Sequence, residues 1–190
     1  MKQIFHYIYW PFNILLLKMN RVAYKDFKIF GMITLMNKGT LSFGHTMRIN
    51  SSRYANVIGG DTRTSFVIKK GASMQLGNNI SISNAAFYCN SKIVIEDNVM
   101  IGGSCKIWDS DFHPLDPQLR KINPREQFIT RPIHIKESAF IGGCSIILKG
   151  VTIGRNSIIG AGSVVSRDVP DNEIWAGNPA TFIRKLKGYE

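Results

Sequence analysis

Ile135-Lys-Glu-Ser-Ala-Phe, Ile141-Gly-Gly-Cys-Ser-Ile, Ile147-Leu-Lys-Gly-Val-Thr, Ile153-Gly-Arg-Asn-Ser-Ile, Ile159-Gly-Ala-Gly-Ser-Val, Val165-Ser-Arg-Asp-Val-Pro: residues 135–170 fall into six consecutive hexads. The first place is always Ile or Val. The fifth is always small or β-branched: Ala139, Ser145, Val151, Ser157, Ser163, Val169. Gly follows the leading aliphatic at Gly142, Gly154 and Gly160. A period of six is neither helical nor a plain strand alternation. It marks a hexapeptide parallel β-helix, each hexad one short strand and one turn. The leading aliphatic points inward, the small residue fits beside it, and Gly supplies backbone freedom at the turn.

Outward from this stretch the repeat continues imperfectly. Ile95, Ile101 and Ile107 lead three hexads. Ile68, Met74, Ile80 and Ala86 lead four, with Ala72, Asn78, Asn84 and Asn90 in fifth place. Leu35, Leu41 and Met47 lead the first three, and residues 53–66 lose the register around Gly59-Gly60-Asp61. The frame predicts a small residue at 111 and an aliphatic at 113, and finds Asp111 and His113. The chain then abandons the repeat over 114–132. A long irregular loop in a compact repeat is usually functional. Beyond Pro170, residues 171–190 read as a cap, with a short basic helix over Thr181–Leu186 covering the open end of the coil.

The chain has 190 residues and a net charge of +11, from 24 Lys and Arg against 13 Asp and Glu. The excess favours anionic partners: a phosphate-bearing cofactor, nucleic acid or an acidic membrane surface. No aromatic-basic platform or recognition motif for nucleic acid appears in order. Cys89, Cys105 and Cys144 carry no metal or disulfide spacing and read as buried thiols in a reducing compartment.

Residues 1–31 stand apart as a hydrophobic and basic arm. Phe5, Tyr7, Tyr9, Trp10 and Phe12 precede Leu15, Leu16, Leu17 and then Lys18, Arg21, Lys25 and Lys28. The apolar run is shorter than the ~20 residues of a membrane span, is interrupted by Pro11 and Asn13, and is followed by no cleavage site. The expectation is a cytoplasmic protein. Its arm either lies on a membrane surface or packs against the body or a neighbouring subunit.

His113 takes an aliphatic's place beside carboxylates at the mouth of the long loop. It is a candidate general base, or a histidine that holds the loop. The run His113-Pro-Leu-Asp-Pro-Gln-Leu-Arg, then Pro132-Ile-His-Ile, Gly150-Val-Thr-Ile-Gly, Gly160-Ala-Gly-Ser-Val-Val and Gly177-Asn-Pro-Ala, resembles the hexapeptide-repeat O-acetyltransferases. The maltose and galactoside branch and the enzymes of capsule, exopolysaccharide and lipopolysaccharide synthesis are nearest. The resemblance covers residues 68–186. It implies an all-β, left-handed parallel β-helix, a homotrimer with sites between subunits, and acetyl-CoA as co-substrate in the groove between two prisms.

The resemblance implies His113 as the base. Asp111 and Glu126 are candidates to orient its imidazole, together with Asp109, which is also a candidate acceptor contact. Asn84 and Asn90 match acceptor-contacting positions, or form a structural asparagine ladder. Phe140, Gly143, Ala161, Ser166, Arg167 and Arg184 match the family's cofactor-binding positions. No Ser or Cys lies in a nucleophile motif, in keeping with direct transfer.

The carbonic-anhydrase branch of this fold needs three converging metal-binding histidines. None of His6, His45, His113 and His134 has its spacing, so no metal is expected. The long helical domain of serine acetyltransferases is absent. The reading is an acetyl-CoA-dependent O-acetyltransferase acting on a saccharide hydroxyl in surface-glycan synthesis. N-acetylation of an amino or nucleotide sugar, and a non-catalytic β-helix platform, are the alternatives.

Overall fold

The computed structural model describes residues 2–123 and 127–188. Helix α1 (Lys2–Met19) is followed by strands β1 (Phe27–Gly31), β2 (Thr34–Asn37), β3 (Thr40–Phe43), β4 (Met47–Ser51), β5 (Ser65–Ile68), β6 (Ser73–Leu76), β7 (Ser81–Ser83), β8 (Ala86–Cys89), β9 (Lys92–Ile95), β10 (Met100–Ile101) and β11 (Lys106–Trp108). Helix α2 (Pro117–Ile122) lies in the excursion. Then come β12 (Ile133–Ile135), β13 (Phe140–Ile141), β14 (Ile146–Ile147), β15 (Thr152–Ile153), β16 (Ile158–Ile159), β17 (Val164–Val165), β18 (Glu173–Gly177) and β19 (Ala180–Lys185).

Through β17 every third strand pairs, always in parallel, giving a three-sided coil with faces of eight, six and five strands. Ile135 sits against Ile153, Ile141 against Ile159 and Ile147 against Val165, so one turn of coil is three hexads. Ile135, Ile141, Ile147, Ile153, Ile159 and Val165 have no solvent exposure, and all six fifth-place residues are buried. Each inward aliphatic contributes roughly 1.5–3 kcal/mol. Phe66 and Phe87 stack inside the prism with centroids 5.0 Å apart, and Phe43, from the five-stranded face, packs on Phe66 at 5.4 Å.

The glycines that follow the leading aliphatics do not make the turns. A Cβ on Gly142 or Gly154 would come within 3.0 Å of the backbone of Ala161 or Asp171, so these glycines are required by the approach of the next coil. The left-handed corner lies two residues further on, at Cys144, Asn156 and Gly162, with φ of 61°, 58° and 73°.

In the first half the register departs from the hexads read above. The partners of Ile147 in successive coils are Ile107, Phe87, Phe66 and Leu35. Those of Ile135 are Ile95, Leu76 and Phe43. Ile68, Met74 and Ile80 are inward but stand in the other inward column, and Ala86 is exposed. Both columns face the core, so a shift of two residues leaves the hydrophobic pattern intact. The shift arises where the chain passes from the six- to the five-stranded face. Eight residues separate Leu35 from Phe43, ten Phe66 from Leu76 and eight Phe87 from Ile95, where six would keep the period. That corner also holds the 114–132 excursion.

The two ends differ. The basic tail is a strand rather than the expected helix: β19 pairs antiparallel with β18 through the Gly177–Ala180 turn. An antiparallel hairpin ends the parallel stack on the eight-stranded face. At the other end α1 runs through Pro11 and packs on β1, and β1 itself lies within residues 1–31. Leu17 is fully buried in the core cluster.

Candidate active site

The site region is the outer surface of the six-stranded face and its two corners. At the corner with the five-stranded face, β11 ends in Trp108, and the chain turns through Asp109, Ser110, Asp111, Phe112 and His113 before α2. Phe112 takes φ 63° and packs on Tyr88 and Trp108 at 4.9 and 5.8 Å between centroids. His113, exposed, follows this aromatic anchor. It lines a cavity of about 250 Å³ with Phe112, Tyr88, Asn90, Lys69 and Phe128. The other three histidines serve the scaffold: His6 donates to the carbonyl of Ile29, His45 to Asp26 and His134 to Glu96.

The carboxylates beside His113 are engaged elsewhere. Asp109 is fully buried. Its Oδ1 accepts the amide N–H of Asn90 at 2.7 Å, and its Oδ2 those of Ser91 and Lys92 at 2.7 and 2.8 Å. A carboxylate enclosed by the turn of the preceding coil contacts no acceptor, so Asp109 is a scaffold residue. Cys89 lies 3.6 Å from the same oxygen, and burial followed by this carboxylate pushes its thiol up to about 12. Asp111 pairs with Lys149 at 2.5 Å, and its Oδ2 is buried without a hydrogen-bond partner, so it does not orient the imidazole. Glu126 lies outside the described residues.

Asn90 both lines the His113 cavity and donates from its side chain to Ser110 Oγ at 2.6 Å. Asn84 stands at the other corner, between the eight- and six-stranded faces, and is 2% exposed. Its Nδ2 donates to the carbonyl of Thr62, and its Oδ1 is buried without a partner. The 52–64 loop covers it, tied down by Ser104 Oγ donating to Gly59 O at 2.6 Å. In this state Asn84 clasps the loop. Beside it a second cavity of about 430 Å³ is walled by Thr62, Arg63, Ser65, Ala86 and Lys106.

The two cavities lie at opposite ends of the same strands. Ala86 of β8 borders one and Tyr88 the other, about 7 Å apart at ~3.3 Å per residue. Lys69, Arg63 and Lys106 line them, and among the described residues no Asp or Glu does. Sequence reasoning missed these cations. Arg63 lies where the register is lost, and Lys69 and Lys106 look like ordinary solvated positions. Trp108, directly after the leading Ile107, falls at an outward place of the repeat, whereas a frame led by Ala86 turns Tyr88 inward.

The cofactor candidates divide between corners. Gly143 and Ala161 follow β13 and β16 at the corner with Asn84, and Phe140, 41% exposed, lies on the adjoining eight-stranded face. Gly103 stacks next to Gly143, and a Cβ on Gly143 would meet only Gly103 backbone, nearest at 3.1 Å. Gly103 itself lies under the 52–64 loop, where a Cβ would come 2.8 Å from Gly59 Cα, so the corner is low and open at Gly143 and Ala161, where an extended chain can lie. Cys144, next in line, is exposed rather than buried. Ser166 and Arg167 follow β17 at the His113 corner, both exposed. Arg184 is exposed on β19, and its guanidinium donates to the carbonyl of Lys185. Among the described residues no group of three or more His, Cys, Asp or Glu could hold a metal ion.

Residues 132–167 match the family described as bacterial transferase hexapeptide (six repeats). The chain belongs to the hexapeptide-repeat transferase family. Its coil is the left-handed parallel β-helix of that family. It is 38% identical over 103 residues to the galactoside O-acetyltransferase of Lactococcus lactis, covering 54% of this chain and 48% of the relative. A hexapeptide-repeat acetyltransferase of Vibrio cholerae, solved with acetyl coenzyme A, is 36% identical with TM-score 0.56, over 60% of this chain and 61% of that one. A maltose O-acetyltransferase of Clostridium difficile is 26% identical with TM-score 0.60, over 98% and 86%. The chain spans between about half and two thirds of the length of the curated relatives it matches.

Proposed function

We propose that this chain is an acetyl-CoA-dependent O-acetyltransferase acting on a saccharide hydroxyl, with His113 as general base. The observation that carries the reading is His113 on the wall of an aromatic cavity, at the corner where the repeat gives way to the 114–132 excursion. A ring nitrogen of His113 takes the proton of the acceptor hydroxyl as its oxygen attacks the thioester carbonyl. The carbon–sulfur bond then breaks, and the same proton passes to the departing CoA thiolate. Holding both substrates in one groove supplies proximity, so no acyl-enzyme is required. Backbone N–H groups along the groove stabilise the tetrahedral oxyanion.

The low corner at Gly143 and Ala161 and the His113 corner are separate edges of one prism. A cofactor lying along the first meets a base on the second if prisms stand side by side, which supports a homotrimer with sites between subunits. Glu126 remains the candidate to orient the imidazole. Lys69, Arg63 and Lys106 favour an anionic acceptor, in keeping with surface-glycan synthesis at the inner face of a membrane.

The test is thiol release from acetyl-CoA with a panel of neutral, acidic, amino and nucleotide sugars, beside His113→Ala. Acceptor-dependent release that is lost in the variant while CoA binding persists supports the assignment. Absence of CoA binding in the purified protein overturns it, and turnover confined to amino sugars replaces O- by N-transfer.

A further inference from the structure

We infer that the outer face of α1 is a docking surface for an anionic lipid bilayer. The argument begins at β1, the edge strand of the eight-stranded face. In a parallel β-helix the strand hydrogen bonds run along the prism axis, so the unpaired groups of an edge strand point out of the end of the prism. Here α1 meets them. His6 donates to Ile29 O, Asn13 Nδ2 to Gly31 O at 2.9 Å, and Ile33 N–H donates to Asn13 Oδ1 at 3.3 Å. Asn13 and Leu17 have no exposure. One side of the helix is thus fixed against the end of the coil.

The opposite side is apolar and bare. Ile8, Phe12, Leu15 and Met19 are 54, 56, 57 and 73% exposed. Their spacing of four, three and four residues places them on one stripe. At 3.6 residues per turn that stripe is about 150° around the helix from His6, Asn13 and Leu17. It faces along the prism axis, away from the coils. A neighbour packed side by side covers a lateral face and leaves an axial one open, whereas a flat surface covers it.

Charge selects the surface. Lys2, Lys18, Arg21 and Lys25 fall in the first 25 residues, which contain no Asp or Glu. Lys18, Arg21 and Lys25 are exposed at the end of the helix and just beyond it. An apolar stripe flanked by cations on a helix lying in plane suits anionic headgroups. Among the described residues no helix is long and apolar enough to cross a membrane, so this surface rests on the bilayer. The inference does not depend on the transfer chemistry.

The experiment is flotation of the full chain with vesicles of phosphatidylcholine alone and of phosphatidylcholine mixed with phosphatidylglycerol. It is read beside light-scattering mass and thiol release on a soluble acceptor. The wild type is expected to float with the anionic vesicles, less so as salt rises. Phe12→Glu with Leu15→Glu should lower partitioning roughly tenfold or more at unchanged mass and thiol release. Lys18→Glu with Arg21→Glu should abolish the preference for phosphatidylglycerol. No flotation with anionic vesicles, or equal flotation of the stripe variant, overturns the inference. So does a fall in oligomer mass in that variant, which would assign the stripe to a second copy of the chain.

Discussion

Asp109→Ala is expected to destabilise the fold by about 3 kcal/mol while leaving the chemistry intact. The wild-type carboxylate receives three amide N–H groups at 2.7, 2.7 and 2.8 Å from a fully buried position. Each such bond to a charged group is worth ~1.5–3 kcal/mol, or roughly 5–9 kcal/mol gross. Two effects reduce this. Removing the carboxylate also removes the several kcal/mol that its desolvation costs. Asn90 and Ser91 are half-buried and Lys92 exposed, so water reaches the freed N–H groups at modest cost. With m near 2 kcal/mol/M, the urea midpoint falls by ~1.5 M. Hydrogen exchange should speed up first at the amides of 90–92. Asp109→Asn keeps one acceptor but turns an NH₂ toward an amide N–H, and should fall between. The assay is urea unfolding at fixed protein concentration, with kcat measured well below the transition. A variant of unchanged midpoint whose kcat collapses would refute the reasoning and return Asp109 to the site.

Cys144 should react with a maleimide far faster than Cys89 and Cys105, because burial pushes those thiols up to about 12 and about 11 and encloses them. A bulky label on Cys144, beside Gly143, should block thiol release, and CoA should protect, read by mass spectrometry and activity together. Asp97 and Asp171 are held below their ordinary value of 3.8, first by the N–H groups of Asn78 and Arg155 respectively. A depressed carboxylate stabilises above its unfolded value and loses that contribution as pH falls through the folded one. Stability should therefore drop below pH 3.8, and the drop should flatten in Asp97→Asn with Asp171→Asn, measured by urea midpoints against pH. Arg63→Gln with Lys106→Gln should raise KM for acidic acceptors by roughly tenfold and leave neutral ones within about twofold, since each exposed charge contact is worth ~1 kcal/mol or less.

What was legible in the sequence is what every coil repeats. Ile135, Ile141 and Ile147 recur because each coil needs the same inward aliphatic at the same place, and a repeated demand leaves a period. What was illegible is what occurs once. The frame of Ile68, Met74 and Ile80 slipped because two inward columns accept the same residue types, and only strand pairing distinguishes them. The strand at Ala180–Lys185 read as a helix because six isolated residues have no period, and their conformation is set by the edge of β18. His113 was visible because it interrupts a period. The partners of Asp109 were not, since its spacing from residues 90–92 depends on how many residues the preceding coil inserts.

The insertions themselves carry an argument about where chemistry can live. A prism whose three corners all kept six residues would have no room for a site, because each coil would lie flush on the next. Here the corner after the six-stranded face carries extra residues in coil after coil before it opens into the excursion with His113. The corner before that face carries the 52–64 loop over its earlier coils, and beyond that loop it keeps only Gly143 and Ala161, with little side-chain bulk. One edge protrudes and supplies groups, while the other recedes and supplies space. On a single chain the two are divided by the width of a sheet. In the homotrimer proposed above, the protruding edge of one chain would meet the receding edge of the next, and the same short repeat would build both a scaffold and a seam for catalysis.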